Sequence, residues 1–331
     1  MILSAKQQLQ VYRAVTPIGA AARFGYFYKL FCRAASCVAA VKREDLLRTQ
    51  SGKAYAKINL TLDIAGLRPD GYHEIQTIMH TVSLCDIVTV KPARRTGVLL
   101  RCNLPYVPCD QRNIAYRAAL LFFEALGRRG AVFIDLRKRI PVGAGMAGGS
   151  ADAAAVLRLL NQAHGRPFSL EKLKAIGLKL GADVPFCLEG GCRLARGIGE
   201  ILSPAPPLPD CALAVVKPKF SISTKKLYEE IDQAPIQGRP DSPAMLEALS
   251  QGDLPRIGGL LANVMEAAAL PQRPQIEEIR QALLAAGALG ARMTGSGSAV
   301  YGIFAHESQA RAALKTLPFP GIQTWVARPV C

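Results

Sequence analysis

The chain has 331 residues, 50% of them hydrophobic, with 41 Lys and Arg against 25 Asp and Glu and a formal net charge of +16. That length and apolar content exclude a disordered protein and leave room for two domains with real cores. The positive charge favours anionic ligands. No helix-turn-helix, zinc-finger or aromatic-and-basic RNA pattern is present, and the basic residues are spread along the chain, so a phosphorylated small molecule fits as well as nucleic acid.

The N-terminal stretch has its own character. Residues 1–43 hold no acidic residue, whereas Lys6, Arg13, Arg23, Lys29, Arg33, Lys42 and Arg43 run through them. Residues 1–52 therefore read as a basic extension, poorly ordered and not catalytic. An organellar transit peptide, which would address the protein to the plastid stroma, an upstream extension and a loose tail would all look like this. The most apolar run, Phe24 to Val41, is broken by Lys29 and Arg33, and no run of about 18 apolar residues exists to span a membrane. The nine cysteines form no C-x-x-C pair, and His73, His80, His164 and His306 do not join them at zinc-ligand spacing. That implies a reducing, cytoplasmic setting and no structural metal.

From Ala54 to Ile64 apolar and polar residues alternate. Ala56, Ile58, Leu60, Leu62 and Ile64 share one face; Lys57, Asn59, Thr61 and Asp63 share the other. The pattern predicts a half-buried strand that sets Lys57 and Asn59 side by side. Pro69-Asp70-Gly71 is turn chemistry, so Tyr72 and His73 stand just past a turn, ahead of two strand-like runs at 76–82 and 86–91. Asn113 to Leu126 reads as an amphipathic helix and Ala131 to Arg137 as a strand.

That strand leads into Pro141-Val142-Gly143-Ala144-Gly145-Met146-Ala147-Gly148-Gly149-Ser150-Ala151, a glycine-rich loop opening into a helix whose apolar positions recur at 153, 156, 157 and 160. Glycines let the backbone approach a ligand closely, and a helix start offers unpaired N–H groups and a positive dipole end. Together they make an anion cradle suited to phosphate. The loop alone does not say which nucleotide fold this is. Gly143-x-Gly145-x-x-Gly148 matches the dinucleotide fingerprint but lacks the acidic residue further on, and the P-loop lysine is missing. A tight turn with glycines for packing would read the same way.

Beyond the loop, Ser169 caps a helix to Leu180, and Gly181-Ala182-Asp183-Val184-Pro185-Phe186 sets an aspartate between a helix end and an apolar, strand-like run. Such an aspartate is either a turn residue or a carboxylate at the mouth of a site. The proline-rich segment 204–209 marks a domain boundary. A strand at 211–216 follows, then a helix opened by Ser223 or Thr224, helices near 243–250 and 274–286, and a glycine-serine turn at Thr294 to Ser298 that runs into a strand. Helices and strands mix without a sustained βαβ rhythm, which predicts an α+β protein of two domains.

Four segments in this order resemble the GHMP small-molecule kinases: the Lys57 strand, the Pro141–Ala151 loop, the Gly181–Pro185 turn and the Thr294–Ser298 turn. The similarity covers about residues 53–330. It implies an N-terminal ATP-binding domain at 53–208, a C-terminal domain at 209–331 and an active site in the cleft between them. It also implies that ATP lies on Pro141 to Ala151, with Mg²⁺ accompanying the nucleotide and no dedicated protein metal site. Asp183 would be the general base toward an acceptor hydroxyl, and Lys57 would pair with it and stabilise transition-state charge. The acceptor would be a small molecule with a cytidine end: His73 would meet the base, Tyr72 and Tyr228 would stack on it, and Asn59 and Thr224 would bind hydroxyls. Neither nucleic acid nor a membrane is an implied partner, and a monomer or homodimer is expected. A GHMP kinase acting on homoserine, mevalonate or a sugar is the alternative. One departure is Met146-Ala147, where the family's loop is richer in glycine. Ala147 is expected to take helical or bridging dihedrals, not the positive φ open to glycine.

Overall fold

The computed structural model describes residues 49–93, 96–233, 236 and 238–331. The basic segment through residue 48, and every expectation placed on it, lies outside these. Strand β1 (Gln50–Leu67) already begins inside the stretch assigned to the extension, because Gln50 pairs with Val90 in the register of β2 (His73–Pro92).

β1 and β2 form a long antiparallel ribbon at the centre of a seven-stranded sheet. The two runs expected at 76–82 and 86–91 are one strand. Its first half pairs with β5 (Cys192–Arg196) and its second half with β4 (Ala131–Arg137). β3 (Gly97–Cys102) lies parallel to β4, β6 (Ile201–Pro204) pairs with β5, and β8 (Ala262–Asn263) adds to β1 at Thr61 and Leu62. On this sheet pack α1 (Ile114–Ala125), α2 (Gly148–Ala163), α3 (Leu170–Leu178) and α4 (Asp183–Glu189). Helix α2 sits in the middle, against β1, β2, α1 and α4. Its alanines at 151, 153, 154 and 155 are all buried, as a helix hemmed in on every side requires.

Two expectations change here. The run after Asp183 is a helix, not a strand. With Ala182 at the N-cap, Asp183 sits in its first turn, where the dipole favours a carboxylate. β1 is not half-buried either: Lys57, Asn59 and Thr61 on the polar face are only 4, 3 and 0% exposed. The glycine-rich loop and a turn from the C-terminal half cover that face.

Segment 205–211 carries the chain into a four-stranded antiparallel sheet ordered β11 (Gln323–Ala327), β7 (Ala212–Lys217), β10 (Val300–Phe304), β9 (Gly290–Met293). Helices α5 (Thr224–Ile231), α6 (Ser242–Gln251), α7 (Leu254–Gly259), α8 (Glu266–Gln272), α9 (Gln275–Ala285) and α10 (Glu307–Thr316) complete the described residues. A second apolar core joins this sheet to α5, α8, α9 and α10. No helix among the described residues is long and apolar enough to cross a membrane.

Candidate active site

Lys57 owes its position to irregular pairing. β-bulges interrupt the β1–β2 register between Tyr55 and Lys57 and again between Asn59 and Thr61, bracketing the two polar side chains. Bulges bend a strand and re-aim its side chains. Nζ of Lys57 donates to Oδ1 of Asn59 at 2.5 Å, Nδ2 of Asn59 donates to Oγ1 of Thr77 at 2.8 Å, and that hydroxyl donates to the carbonyl of Thr61 at 2.5 Å. From the other half of the chain, Tyr301 donates its hydroxyl to the Asn59 carbonyl at 2.8 Å, and Thr294 Oγ1 accepts from the Asn59 amide at 3.1 Å. Asn59 thus uses its side chain on Lys57, Thr77 and Thr294, which makes it a holder of the lysine. The lysine keeps further N–H donors, as an ammonium has three.

The glycine-rich loop lies against the same spot. The Lys57 amide donates to the Met146 carbonyl at 3.2 Å, and the Ala299 amide donates to the Ala144 carbonyl at 3.2 Å. Gly145 has φ +73°, and a Cβ there would meet the Thr294 carbonyl oxygen at 2.0 Å. Only glycine permits that approach between two segments about 150 residues apart. Ala147 departs from expectation: it is the N-cap of α2 with φ 56° and ψ 29°, the left-handed region. An alanine there costs on the order of 1–2 kcal/mol, and the loop's fixed entry and exit hold it in place. Past it, the N–H groups of Gly148, Gly149 and Ser150 begin the helix with no carbonyl of the helix to bond.

Entry and exit of the loop share a buried ionic cluster that sequence reading missed. Lys138, 5% exposed, donates to Oδ2 of Asp86 at 2.5 Å and to Oδ2 of Asp152 at 2.6 Å. Oδ1 of Asp86 accepts the amides of Arg139 and Ile140 at 2.5 and 2.8 Å. Burial pushes the Asp152 carboxyl up to about 7 against the pull of Lys138, and the charge of Asp86 adds to the rise. The other oxygen of Asp152 is buried with no partner. Asp152 directly follows the Pro141–Ala151 loop read from the sequence, but nothing in a linear reading ties Asp86 to Lys138, 52 residues away.

All of this borders one cavity of about 1190 Å³. Lys57, Asn59, the loop from Pro141 to Ser150, Asp183, Tyr72, His73, Thr224 and Tyr228 line it. Of the predicted residues, only Ala151 stays behind the surface, 1% exposed inside α2. Lys57 and Asp183 therefore reach the same space, and both charges are felt at the half-buried Cys187. The expected pairing between them is not made: among the described residues Asp183 has no ion-pair partner, and the lysine turns to Asn59 instead. The seven free cysteines among the described residues show no clustering with histidine or carboxylates that would hold a metal.

His73, at the start of β2, lines the same cavity, and α5 with its C-cap sets Thr224, Tyr228 and Asp232 at successive i,i+4 positions. The His73 ring stacks on Tyr228, centroids 4.7 Å apart and planes inclined by 25°, and its Nε2 lies 2.6 Å from Oδ1 of Asp232. Tyr72 is 60% exposed at the rim. One face of Tyr228 is taken by the histidine ring. Thr224 shares a 2.7 Å hydrogen bond with Ser296 of the glycine-serine turn. The turn itself is held by Asn263, whose Nδ2 donates to the carbonyls of Met293 and Gly295.

A loop of backbone amides, a buried lysine and a half-buried carboxylate around one cleft is the equipment of a phosphoryl-transfer enzyme. The pattern of the GHMP kinases N terminal domain matches residues 113–191, and that of the GHMP kinases C terminal matches residues 245–323. The chain belongs to the GHMP kinases. It is 44% identical over 279 residues to the 4-diphosphocytidyl-2-C-methyl-D-erythritol kinase of Lachnoclostridium phytofermentans, covering 83% of this chain and 96% of that one. It is 42% identical over 265 residues to the enzyme of the same name from Clostridium perfringens, covering 80% and 92%. Among solved structures, a 4-(cytidine 5'-diphospho)-2C-methyl-D-erythritol kinase superposes with TM-score 0.73 at 37% identity over 85% of this chain and 100% of that one. The homoserine kinase of Cytophaga hutchinsonii, TM-score 0.66 at 21% identity over 84% of this chain and 94% of that one, shares the fold.

Proposed function

We propose that this chain transfers the γ-phosphoryl group of ATP to the 2-hydroxyl of 4-diphosphocytidyl-2-C-methyl-D-erythritol, a step of isoprenoid precursor synthesis by the non-mevalonate route. The carrying observation is that one cavity is lined both by the glycine-rich loop, Lys57 and Asp183 and by the stacked His73–Tyr228 pair. A phosphate donor and an acceptor with an aromatic base would lie end to end across it.

The loop fits a polyphosphate on its own geometry. Gly145 presses against the backbone of the Thr294–Ser298 turn, and Gly148, Gly149 and Ser150, which open α2, line the cavity. Mg²⁺ bound with the nucleotide would screen the phosphate charge. Among the described residues no three His, Cys, Asp or Glu side chains gather as a metal cluster, so the ion would ride on the phosphates, with the Ser150 hydroxyl within the cradle. Asp183 takes the proton of the acceptor hydroxyl as that oxygen bonds to the γ-phosphorus and the bond to the ADP oxygen breaks. Lys57, held by Asn59, offers its remaining N–H groups to the charge on the equatorial oxygens. The division into an ATP-binding domain at 53–208 and a C-terminal domain at 209–331 belongs to the same reading.

The test is turnover followed by ³¹P NMR with ATP and, in turn, the cytidylyl methylerythritol acceptor, mevalonate and homoserine. Phosphorylation of the first in clear preference to the others is expected. Preference for an acceptor without cytidine would overturn the assignment.

A further inference from the structure

We infer that Asp232 sets base specificity: by fixing which nitrogen of His73 carries hydrogen, it makes the acceptor site select cytosine over uracil. This rests on the proposed cytidine-bearing acceptor and goes beyond it, because it assigns the discrimination to a residue outside every motif considered above.

The geometry leaves His73 little freedom. A carboxylate has only acceptor atoms, so the 2.6 Å contact between Oδ1 of Asp232 and Nε2 of His73 requires the hydrogen on Nε2. In the neutral ring Nδ1 then carries a lone pair, and it makes no hydrogen bond among the described residues. Stacking on Tyr228 fixes the plane of the ring, and the Asp232 contact fixes its rotation in that plane. Asp232 has no helical reason to be there. It follows the last turn of α5, the negative end of the helix dipole, where an anion is unfavourable. The nearby cation Arg239 is engaged by Asp63 and the Ile64 carbonyl.

An acceptor nitrogen at the base end of the cavity matches the exocyclic amine of cytosine, a donor. Uracil presents a carbonyl oxygen at the same ring position, an acceptor. The lone pairs of Nδ1 and that oxygen would then face each other with no hydrogen between them. A site built to hydrogen-bond one partner rejects the analogue that cannot supply the bond. Asp232 acts through His73 and is a positioning residue.

The experiment uses the full-length enzyme and compares kcat/KM for the cytidine acceptor with that for its uridine analogue. The wild type is expected to favour cytidine, and in Asp232→Asn and Asp232→Leu that preference should fall by roughly tenfold or more with the KM for ATP unchanged. A general loss of packing would lower both rates together and leave their ratio intact. An unchanged ratio in both variants, or a wild type that accepts uridine equally, overturns the inference while leaving the kinase reading in place. A wild type inactive on both acceptors overturns the two together. Should the variants not fold, ¹⁵N NMR of histidine-labelled wild type decides: an unprotonated Nδ1 on His73 supports the inference, and a protonated one refutes it.

Discussion

Lys138 and Asp152 stand 14 positions apart, with the whole glycine-rich loop between them, and meet through a 2.6 Å hydrogen bond. The same ammonium reaches Asp86, which holds the amides of Arg139 and Ile140. One buried lysine therefore closes the loop at its base, tying its entry to its exit. Lys138→Met would leave two carboxylates buried without their cation, at a cost of about 3–5 kcal/mol. Denaturant unfolding should register that loss, and in the surviving folded fraction the KM for ATP should rise more than the KM for the acceptor.

The cluster also gives the fold a pH dependence. Burial raises the Asp152 carboxyl from its ordinary 3.8 to about 7, so between those values the folded state holds a proton that the unfolded chain has lost. Stability from this group is then present at low pH and declines as pH rises from about 4 to about 7, with no further change above. Asp152→Asn removes the titration. The wild-type minus variant difference in unfolding free energy, measured across that range, should fall with pH and then level off. A flat difference would show that Asp152 is ionised throughout.

Gly145→Ala would drive a methyl group to 2.0 Å from the Thr294 carbonyl at a residue with φ +73°. Neither contact partner is the movable end of a side chain, so the loop and the Thr294–Ser298 turn must separate. Thermal unfolding and ATP affinity should both worsen, the strain alone being worth about 1–3 kcal/mol. Wild-type values for both would mean the loop has slack that this packing does not indicate.

Asp183→Asn keeps the shape of the first turn of α4 and removes the proposed proton acceptor. kcat should fall by about 10²–10⁴, with nucleotide affinity, read by calorimetry, near that of the wild type. Because Asp183 has no ion-pair partner among the described residues, the change leaves no stranded cation behind it. Undiminished turnover would exclude the base role.

Tyr228→Ala removes the surface on which His73 stacks. The KM for the acceptor should rise by at least about fivefold, the equivalent of the 1–3 kcal/mol that stacking contributes per base, while the KM for ATP stays put. Equal weakening of both would reduce the tyrosine to a packing residue.

Local chemistry made much of this molecule legible in the chain alone. Alternation marked β1, amphipathic spacing marked the helix after Asn113, Ser169 announced its helix as a cap, and the glycine spacing marked the loop before α2, because each depends on neighbours within a few residues. Joining the 76–82 and 86–91 runs into one strand, turning the run after Asp183 into a helix and placing Ala147 at positive φ were decided by what packs around them. So were the burial of Lys57, its turn toward Asn59 and away from Asp183, the Lys138 cluster and the Asp232–His73 pair. Apart from the Lys57–Asn59 hydrogen bond, those contacts join residues 14 to 159 positions apart. Their energies depend on desolvation and on distances between side chains, which exist only once both sheets have closed around the cleft.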